Sequence, residues 1–434
     1  MTDLEAIPDW DNCQEFARAQ DAADHVTSFR DQFHIPKHKD GHECIYFCGN
    51  SLGLQPKGVR AAIDVELEDW ARLGVDAHFH GRFPWMPYHE LVREPLAEFV
   101  GAQPPEVVAM NSLTVNLHLM LVSFYRPTPT RNKILIEKHA FPSDRYAVES
   151  QIRLHGFDPK ACLMELAPQV GSECLSSEQI TQLIEAQGES IALILLPGVQ
   201  YYTGEVLDLA AITRAAQAAG CRVGFDLAHS VGNVPLDLHS VGCDFAVWCS
   251  YKYLNAGPGA VAGCFVHQRH HAAELPRLHG WWGHDQQTRF LMEPKFAPSS
   301  GADAWQLSNP PILALAPLRV SLQIFRAAGM VRLRQKSVQL TGFLLQLIQK
   351  QLSGWVRTIT PSVETQRGCQ LSLMVEKKPG SARDVFRALS ERGVVADWRA
   401  PNVIRVAPVP LYNQFIEVYR FVEILNEVVR DRCT

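Results

Sequence analysis

The chain has 434 residues, 47% of them hydrophobic and 20% charged, a balance typical of a folded globular protein rather than a disordered one. Its formal net charge of −5 argues against the basic surface that nucleic acid or an anionic membrane selects. The eleven cysteines form no CxxC pair, which favours a reducing compartment over a disulfide framework. The start of the sequence lacks a signal-peptide pattern, and no apolar run approaches the ~20 residues that span a bilayer. We therefore expect a soluble, cytoplasmic protein with a small-molecule partner and neither nucleic-acid nor membrane partners.

The N-terminal ~45 residues are polar and mixed, and they end in a turn-rich segment at 48–53. Beyond them, short apolar runs alternate with helical patterns. A helix is predicted at 209–219, ended by Gly220 in the left-handed conformation. Strands are predicted at 134–137, 191–196, 222–227, 245–249 and 260–266. This alternation predicts an α/β fold with a mainly parallel sheet and helices on both faces.

The sequence changes character after Pro310 and Pro311. Long helices are predicted at 312–328 and 331–350, followed by strands at 369–375 and 403–406. Ser381 is predicted to cap a helix that runs towards Gly393, and residues 414–430 form an amphipathic pattern. We expect an N-terminal segment (1–50) packing with the small domain, a large α/β domain (51–310) and a smaller C-terminal α+β domain (311–434).

Lys252 and Asp226 are the residues most indicative of chemistry. Each follows an apolar strand-like run, and ligands of parallel sheets bind at the carboxyl ends of the strands. A lone lysine in a loop is usually a solvated charge, but Lys252 lies between two tyrosines, where desolvation would favour the nucleophilic amine. A lysine that forms a Schiff base and an acid that keeps a pyridine nitrogen protonated are what pyridoxal 5'-phosphate requires.

Two predicted helix starts are candidates for the phosphate and the ring of such a cofactor. The backbone amides of Leu113 and Thr114 and the threonine hydroxyl suit a phosphate, although an ordinary helix cap is the alternative. Phe141, which precedes Pro142, Ser143 and Asp144, suits the face of an aromatic ring. Packing of Phe141 against the following helix is equally compatible with the sequence.

Arginine and histidine positions leave further alternatives open. Arg405 lies in an apolar strand-like run and needs an anion, either a substrate carboxylate or an internal acid. His78 and His80 form an HxH pair, and His270 and His271 are adjacent. No third ligand at a convincing spacing accompanies either pair, so structural roles are favoured and no metal is expected.

Several long stretches resemble the kynureninase family of fold-type-I pyridoxal phosphate enzymes, over nearly the whole chain. They are residues 48–54, 113–118, 141–144, 224–232, 248–255, 280–284, 308–311 and 405–412. The resemblance implies that Lys252 forms the Schiff base and that Asp226 contacts the pyridine nitrogen. It places further residues at the cofactor, namely Leu113, Thr114, Tyr251, Trp281 and Asn309 around the phosphate, Phe141 on the ring with Pro142 and Ser143 beside it, and Asp144 and His229 along the polar edge.

The same resemblance implies the substrate contacts and the assembly. Arg405 is expected to hold the substrate α-carboxylate, with Ser51, His78 and Asn309 as further substrate contacts. Trp281 and Asn309 are expected from the neighbouring subunit, which implies a homodimer with shared active sites.

The implied reaction is hydrolysis of the Cβ–Cγ bond of L-kynurenine or 3-hydroxy-L-kynurenine. The products are anthranilate or 3-hydroxyanthranilate and L-alanine, on the route of tryptophan degradation and NAD biosynthesis. Tyr251 is placed to move protons to the ketone oxygen. His78 and Asn309 match the branch of the family that prefers the hydroxylated substrate.

Two rival interpretations remain. Another fold-type-I lyase, such as a cysteine desulfurase, would need a catalytic cysteine on a mobile loop, whereas Cys369 falls in a predicted strand. A cofactor-binding regulator would need a DNA-binding module, and no basic helix-turn-helix segment is recognisable in the sequence.

Overall fold

The structure, a computed structural model, describes residues 8–376 and 382–433. In chain order the strands are β1 (Ile45–Tyr46), β2 (Val107–Ala109), β3 (Lys133–Glu137), β4 (Leu163–Leu166), β5 (Ile191–Pro197), β6 (Arg222–Asp226), β7 (Phe245–Trp248), β8 (Gly263–Val266), β9 (Val356–Thr358), β10 (Leu371–Val375), β11 (Val394–Val395), β12 (Asp397–Arg399) and β13 (Val403–Val406).

The α-helices connect and cover these strands. They are α1 (Trp10–Ala23), α2 (Val59–Leu73), α3 (Ala77–His80), α4 (Glu90–Val100), α5 (Leu113–Phe124), α6 (Pro142–Leu154), α7 (Pro159–Cys162), α8 (Ser177–Gln187), α9 (Leu209–Ala218), α10 (Leu238–Val241), α11 (Ile312–Ala328), α12 (Met330–Gln351), α13 (Ala382–Glu391) and α14 (Phe415–Cys433).

The central sheet contains seven strands in the order β2-β8-β7-β6-β5-β3-β4. Strands β3 to β7 pair in parallel, while β8 is antiparallel to both of its neighbours. The inner strands are buried along their length because helices cover both faces, which is why their sequences are apolar without alternation. The predicted mainly parallel α/β fold is thereby confirmed.

Most predicted strands match the structure closely. Those at 134–137, 191–196, 222–227 and 245–249 agree to within one residue at each end. The strand predicted at 260–266 was too long, because β8 begins only at Gly263, after a turn in which Gly257 and Gly259 have φ of +87° and +72°. The strand predicted from Cys369 begins instead at Leu371.

The carboxyl ends of the parallel strands meet at one edge of the central sheet. β3 ends at Glu137, β5 at Pro197, β6 at Asp226 and β7 at Trp248. Polar residues that follow these strands are therefore brought side by side although they are far apart in sequence. Helices α5 and α6 begin at this edge, with extended residues Ser112 and Phe141 as their N-caps.

A second, smaller sheet has the order β12-β13-β10-β9 and is antiparallel throughout. Its apolar face packs with helices α12, α13 and α14 in a core of its own. The N-terminal segment joins this unit, since α1 packs on α14 and β1 pairs in parallel with β11. Helix α11 packs on α2 and α4 beside the central sheet. The domain limits at residues 50 and 310 remain predictions.

Helix α13 fits the predicted helix that ends before Gly393, whereas its predicted cap, Ser381, lies outside the described residues. Within the described residues, no single helix has both the length and the apolar composition to cross a bilayer. Helices α11 and α12, which meet at 79°, satisfy that criterion only as a pair.

Candidate active site

Lys252 and Asp226 lie at the edge where the parallel strands end. Asp226 is the last residue of β6, and one of its carboxylate oxygens accepts a hydrogen bond from the Ala228 N–H at 2.7 Å. Lys252 follows β7, and its Nζ lies 3.0 Å from Nε2 of His229. Gly53 lies against the loop of Lys252, and a Cβ at this glycine would come within 2.3 Å of the Lys252 carbonyl oxygen. The main chain can approach the lysine this closely only because residue 53 is glycine.

A cavity of ≈ 90 Å³ surrounds these two residues and adjoins a cavity of ≈ 460 Å³ that shares Glu137, Pro197 and Tyr201 with it. The smaller cavity is lined by predicted cofactor residues, namely Leu113, Thr114, Phe141, Ser143, Asp144, Asp226, His229, Tyr251 and Lys252. It is also lined by residues that the sequence analysis did not select, namely Glu137, Pro197, Val199, Tyr201 and Ala228.

One end of the cavity is formed by the first turns of two helices. Leu113 and Thr114 open α5, while Pro142, Ser143 and Asp144 open α6. The hydroxyl groups of Thr114 and Ser143 lie 2.7 Å apart and form a hydrogen bond. Free N–H groups and the positive dipole ends of two helices make this end suited to a phosphate. Pro142 occupies a first-turn position where its missing N–H costs no helical hydrogen bond.

One side of the cavity, which includes the first turn of α6, is crowded with acids. Burial, and secondarily the charge of Asp226, raises the pKa of Asp144. Burial likewise raises the pKa of Glu137 to about 8, with Asp226 adding to the shift. Glu137 ends a buried apolar strand just as Asp226 does, so the reasoning that selected Asp226 could also have found Glu137.

Two buried polar atoms at this side lack any hydrogen-bond partner among the described residues, Oδ1 of Asp144 and Nδ1 of His229. Burial, followed by the charge of Lys252, lowers the pKa of His229, which favours the neutral imidazole. Buried polar groups are rarely left without partners, so the cavity has the properties of a site for a polar ligand. A flat heteroaromatic ring with polar substituents and a phosphate fits the donors and acceptors present.

Phe141 is 43% exposed and meets the ring of Tyr201 edge-on, with centroids 5.3 Å apart. Phe141 is therefore not fully buried against the following helix, which was the alternative that the sequence left open. Its ring borders the cavity and is available to a ligand.

Arg405 lies on β13 behind Tyr201, and it is almost completely buried. Its guanidinium donates to the Tyr201 carbonyl oxygen at 2.6 Å and forms an ion pair with Asp397. The internal ion pair that the sequence left open is thus present, yet Nε of Arg405 has no partner among the described residues. Burial lowers the pKa of Arg405 to about 10, so the group remains cationic at neutral pH.

Besides Pro142 and Arg405, four further predicted site residues do not line the cavity. Ser51 is half-buried in the turn that precedes Gly53, and the Nδ1–H of His78 donates to the Val75 carbonyl oxygen at 2.9 Å. Trp281 is 42% exposed, and its indole N–H donates to the Arg289 carbonyl oxygen at 3.2 Å. Asn309 is exposed. Within one chain, these residues therefore do not complete the site around Lys252.

Two other predictions concern residues outside the cavity. Cys369 is buried, precedes β10, and its N–H donates to Oδ1 of Asn233 at 2.9 Å, so it is not a thiol on an exposed loop. His270 is buried and hydrogen bonds with Asp244 at 2.7 Å, the structural role favoured for it.

Comparison with known proteins decides the family. The kynureninase C-terminal domain profile matches residues 333–425. The kynureninase of Myxococcus xanthus is 55% identical over 423 residues, which cover 97% of this chain and 99% of that protein. The kynureninase of Xanthomonas euvesicatoria is 57% identical over 407 residues, 94% of this chain and 96% of that protein. The chain belongs to the kynureninase family.

Solved structures support the fold of this kynureninase family member. A variant of the protein C-DES with glycine covalently linked to its PLP cofactor matches with a TM-score of 0.74 and 19% identity, covering 88% of this chain and 96% of that chain. The Escherichia coli cysteine desulfurase CsdA matches with a TM-score of 0.74 and 16% identity, covering 94% of this chain and 99% of that chain. At such identities the likeness concerns the fold, which is that of fold-type-I enzymes. Kynureninases depend on pyridoxal phosphate, and the donors and acceptors of the cavity fit that cofactor.

Proposed function

We propose that this protein hydrolyses the Cβ–Cγ bond of L-kynurenine or 3-hydroxy-L-kynurenine, releasing anthranilate or 3-hydroxyanthranilate and L-alanine. The observation that carries the proposal is the combination of 55% identity to a kynureninase over 97% of the chain with a cavity that groups Asp226, His229 and Lys252. This reaction would place the protein in tryptophan degradation and NAD biosynthesis, and we expect it in the cytoplasm.

The test is release of anthranilate from L-kynurenine by the purified protein supplied with pyridoxal phosphate. Formation of anthranilate and alanine in equal amounts supports the proposal. Release of sulfur from cysteine without anthranilate formation would instead favour a desulfurase.

The cofactor would be held by residues from several elements. Lys252 would bind its aldehyde carbon covalently, and Asp226 would pair with the pyridine nitrogen. Leu113, Thr114 and Ser143 would surround the phosphate at the helix ends, with Phe141 on the ring face and Asp144 and His229 at the polar edge. The bound group supplies an electron sink for bonds broken next to the substrate amine.

Side chains of the protein would carry out the proton transfers that accompany the addition of water. The ε-amine of Lys252 would take the proton from Cα of the substrate. Burial, and secondarily Cys249, raises the pKa of Tyr251, so its hydroxyl keeps its proton at neutral pH. A protonated phenol beside the lysine is suited to donate to the substrate ketone oxygen as water adds to it.

Arg405 would bind the α-carboxylate of the substrate through the side of its guanidinium that bears the unpartnered Nε. Lysine at this position would keep a charge but lose the planar fork of donors. For Arg405→Lys we expect KM to rise about 10- to 100-fold with a smaller change in kcat, equivalent to about 1.4–2.8 kcal/mol. Steady-state kinetics measure the change, and an unchanged KM would assign Arg405 to the ion pair with Asp397 alone.

We also propose that the active protein is a homodimer in which Trp281 and Asn309, and with them His78, complete the site of the neighbouring subunit. The support is that these residues lie outside the cavity of their own chain. In addition, Trp281 packs edge-on against exposed Phe290, next to exposed Leu291 and Met292, and exposed apolar clusters often mark protein interfaces.

Subunit mixing tests this assembly directly. Lys252→Ala and Asn309→Ala homodimers are each expected to be nearly inactive. After subunit exchange, hybrid dimers contain one intact site, and random exchange should restore about a quarter of the wild-type activity. No recovery despite verified exchange would contradict the shared site.

For the substrate, we propose that His78 and Asn309 hydrogen bond a ring hydroxyl, with Ser51 as a further contact, so that 3-hydroxykynurenine is preferred. A site that hydrogen bonds a hydroxyl group of its substrate disfavours the analogue that lacks this group. The ratio of kcat/KM for the two substrates decides the matter, and a clear preference for unhydroxylated kynurenine would refute it. His78→Ala should lower the ratio while leaving the reaction with kynurenine nearly unchanged.

A further inference from the structure

A second group of titratable side chains lies at the edge of the central sheet opposite Lys252. Glu106 directly precedes β2, His267 directly follows β8, and His239 lies on α10. Because β8 is antiparallel to β7, with Phe245 opposite Val266, this edge is the amino end of the parallel strands. The group therefore lies apart from the proposed active site.

The three side chains bring one donor atom each into a small cluster. One ligand atom from each residue lies within 4.8 Å of the others. Nδ1 of His239 is 3.0 Å from Oε2 of Glu106, and Nδ1 of His267 is 4.0 Å from Oε1. Zn²⁺ bonds of ~2.0–2.1 Å in a tetrahedron separate ligand atoms by about 3.3 Å. The rings of His239 and His267 are stacked with planes 6° apart, so coordination requires rotation of one ring together with side-chain shifts of about 1 Å.

The charge of Glu106 gives a separate reason for a cation at this point. Its side chain is 0% exposed, and its two oxygens accept hydrogen bonds from the backbone N–H groups of Gln103 and Gln268, each at 2.9 Å. Among the described residues its ion-pair partners are the two imidazoles, and neither lysine nor arginine pairs with it. A buried carboxylate without a cationic partner is costly, so a bound cation would stabilise it.

A second cluster of possible metal ligands, at the N-terminus of α4, already has a cationic partner. His89, Glu90 and Asp303 also bring three donor atoms together, but Arg93 forms an ion pair with Asp303 and already supplies the positive charge. Among the described residues, no arginine forms an ion pair with Glu106.

We propose that Glu106, His239 and His267 bind one divalent transition-metal ion of the Zn²⁺ type, with the fourth coordination position open to solvent. Two imidazole nitrogens and one carboxylate suit zinc, cobalt or nickel, whereas magnesium and calcium prefer oxygen ligands throughout. The side chain of His239 is 32% exposed, which gives the ion a path from solvent. Binding replaces the 3.2 Å hydrogen bond from the Arg269 N–H to Nδ1 of His267. The ion would join α10, β2 and β8 at the edge of the sheet remote from catalysis.

The test measures metal binding to the pyridoxal phosphate-loaded protein after treatment with a chelator and its removal. Equilibrium dialysis with Zn²⁺ gives the stoichiometry and Kd, and visible absorption of Co²⁺ reports the coordination geometry. We expect one ion per chain, a four-coordinate Co²⁺ spectrum and a rise in Tm with Zn²⁺.

The variants His239→Ala and His267→Ala should each weaken binding at least about tenfold and abolish the rise in Tm. His271→Ala is the matched control, since His271 lies nearby but hydrogen bonds with the Val266 carbonyl oxygen, and it should bind as wild type does. Kynurenine cleavage without added metal should be unchanged in all three variants.

Absence of stoichiometric binding by the wild type would overturn the proposal, as would undiminished binding in both histidine variants. If His267→Ala does not fold, the partly exposed His239 decides the matter through His239→Ala and His239→Gln, each checked by circular dichroism.

Discussion

Buried aspartates lie at both edges of the central sheet, but their pKa values are shifted in opposite directions. At the amino end, Asp244 accepts hydrogen bonds from His270 at 2.7 Å and from Arg269 at 2.8 Å. Burial alone would raise its pKa, but these hydrogen bonds outweigh burial and lower the pKa to about 2. At the carboxyl end, burial and neighbouring acids raise the pKa values of Asp144 and Glu137. Asp244 thus has its charge compensated within the chain, whereas Asp144 and Glu137 lie beside another acid, Asp226.

This difference separates residues that hold the fold together from residues that await a ligand. Asp244 makes an internal network whose loss should cost stability. Among the described residues, buried atoms of Asp144 and His229 have no hydrogen-bond partner, which is consistent with a bound polar molecule at this site. Buried acids with raised pKa values and a nearby lysine are typical of active sites.

The largest effect is expected from Lys252→Ala. Removing the amine takes away both the covalent link to the cofactor and the base for the Cα proton, so we expect kcat/KM to fall at least about 10⁴-fold. Anthranilate release measures the loss, and borohydride reduction followed by peptide mapping should find no label at position 252. Lys160→Ala, on exposed α7, is the control and should behave as wild type.

Tyr251→Phe should retain the cofactor and slow turnover by about 10²–10⁴-fold, because only the hydroxyl proton is lost. The visible spectrum of the bound cofactor and kcat are measured together. Turnover equal to that of the wild type would remove Tyr251 from proton transfer and leave it with a packing role.

A matched pair of substitutions at the two edges tests the comparison itself. Asp226→Asn should lower cofactor affinity and kcat about 10²-fold or more with a small loss of stability. Asp244→Asn should instead lower the free energy of unfolding by about 3–5 kcal/mol and leave the cofactor spectrum unchanged, because it breaks a buried charge network. Urea unfolding and cofactor titration of both variants distinguish the two effects, and similar behaviour of the pair would contradict our view of the edges.

The last expected effect concerns the protonation of Glu137. A folded pKa of about 8, above the ordinary 4.5, means that the folded cofactor-free protein binds an extra proton between these values. The stability contribution is therefore fully present below pH 4.5 and is lost as pH rises towards 8, by up to about 1.4 kcal/mol per pH unit. In the Glu137→Gln variant, the free energy of unfolding should change less between pH 5 and pH 8. Urea unfolding at several pH values measures this change. An unchanged slope would show that Glu137 does not hold the extra proton.

Four of the five parallel strands were predicted, most clearly β5, which is a continuous apolar run, whereas β4, which contains Glu165, was not. Short strands such as β2, β11 and β12 were not, since two or three residues contain no period to recognise. Glu137 ends a strand as Asp226 does, but it was missed because it lies outside the stretches shared with the kynureninase family, whereas Lys252 lies inside one.

The sequence by itself determined the main strands of the central sheet, the C-terminal helices and the residue types that pyridoxal phosphate chemistry needs. It could not determine which polar groups remain unsatisfied, since a charge at position 226 or 244 looks alike until its neighbours are known. Tertiary packing decided this by bringing His270 and Arg269 to Asp244 while surrounding Asp226 with other acids and Lys252. The physical reason is that pKa and hydrogen bonding depend on distance and burial, which chain order does not contain.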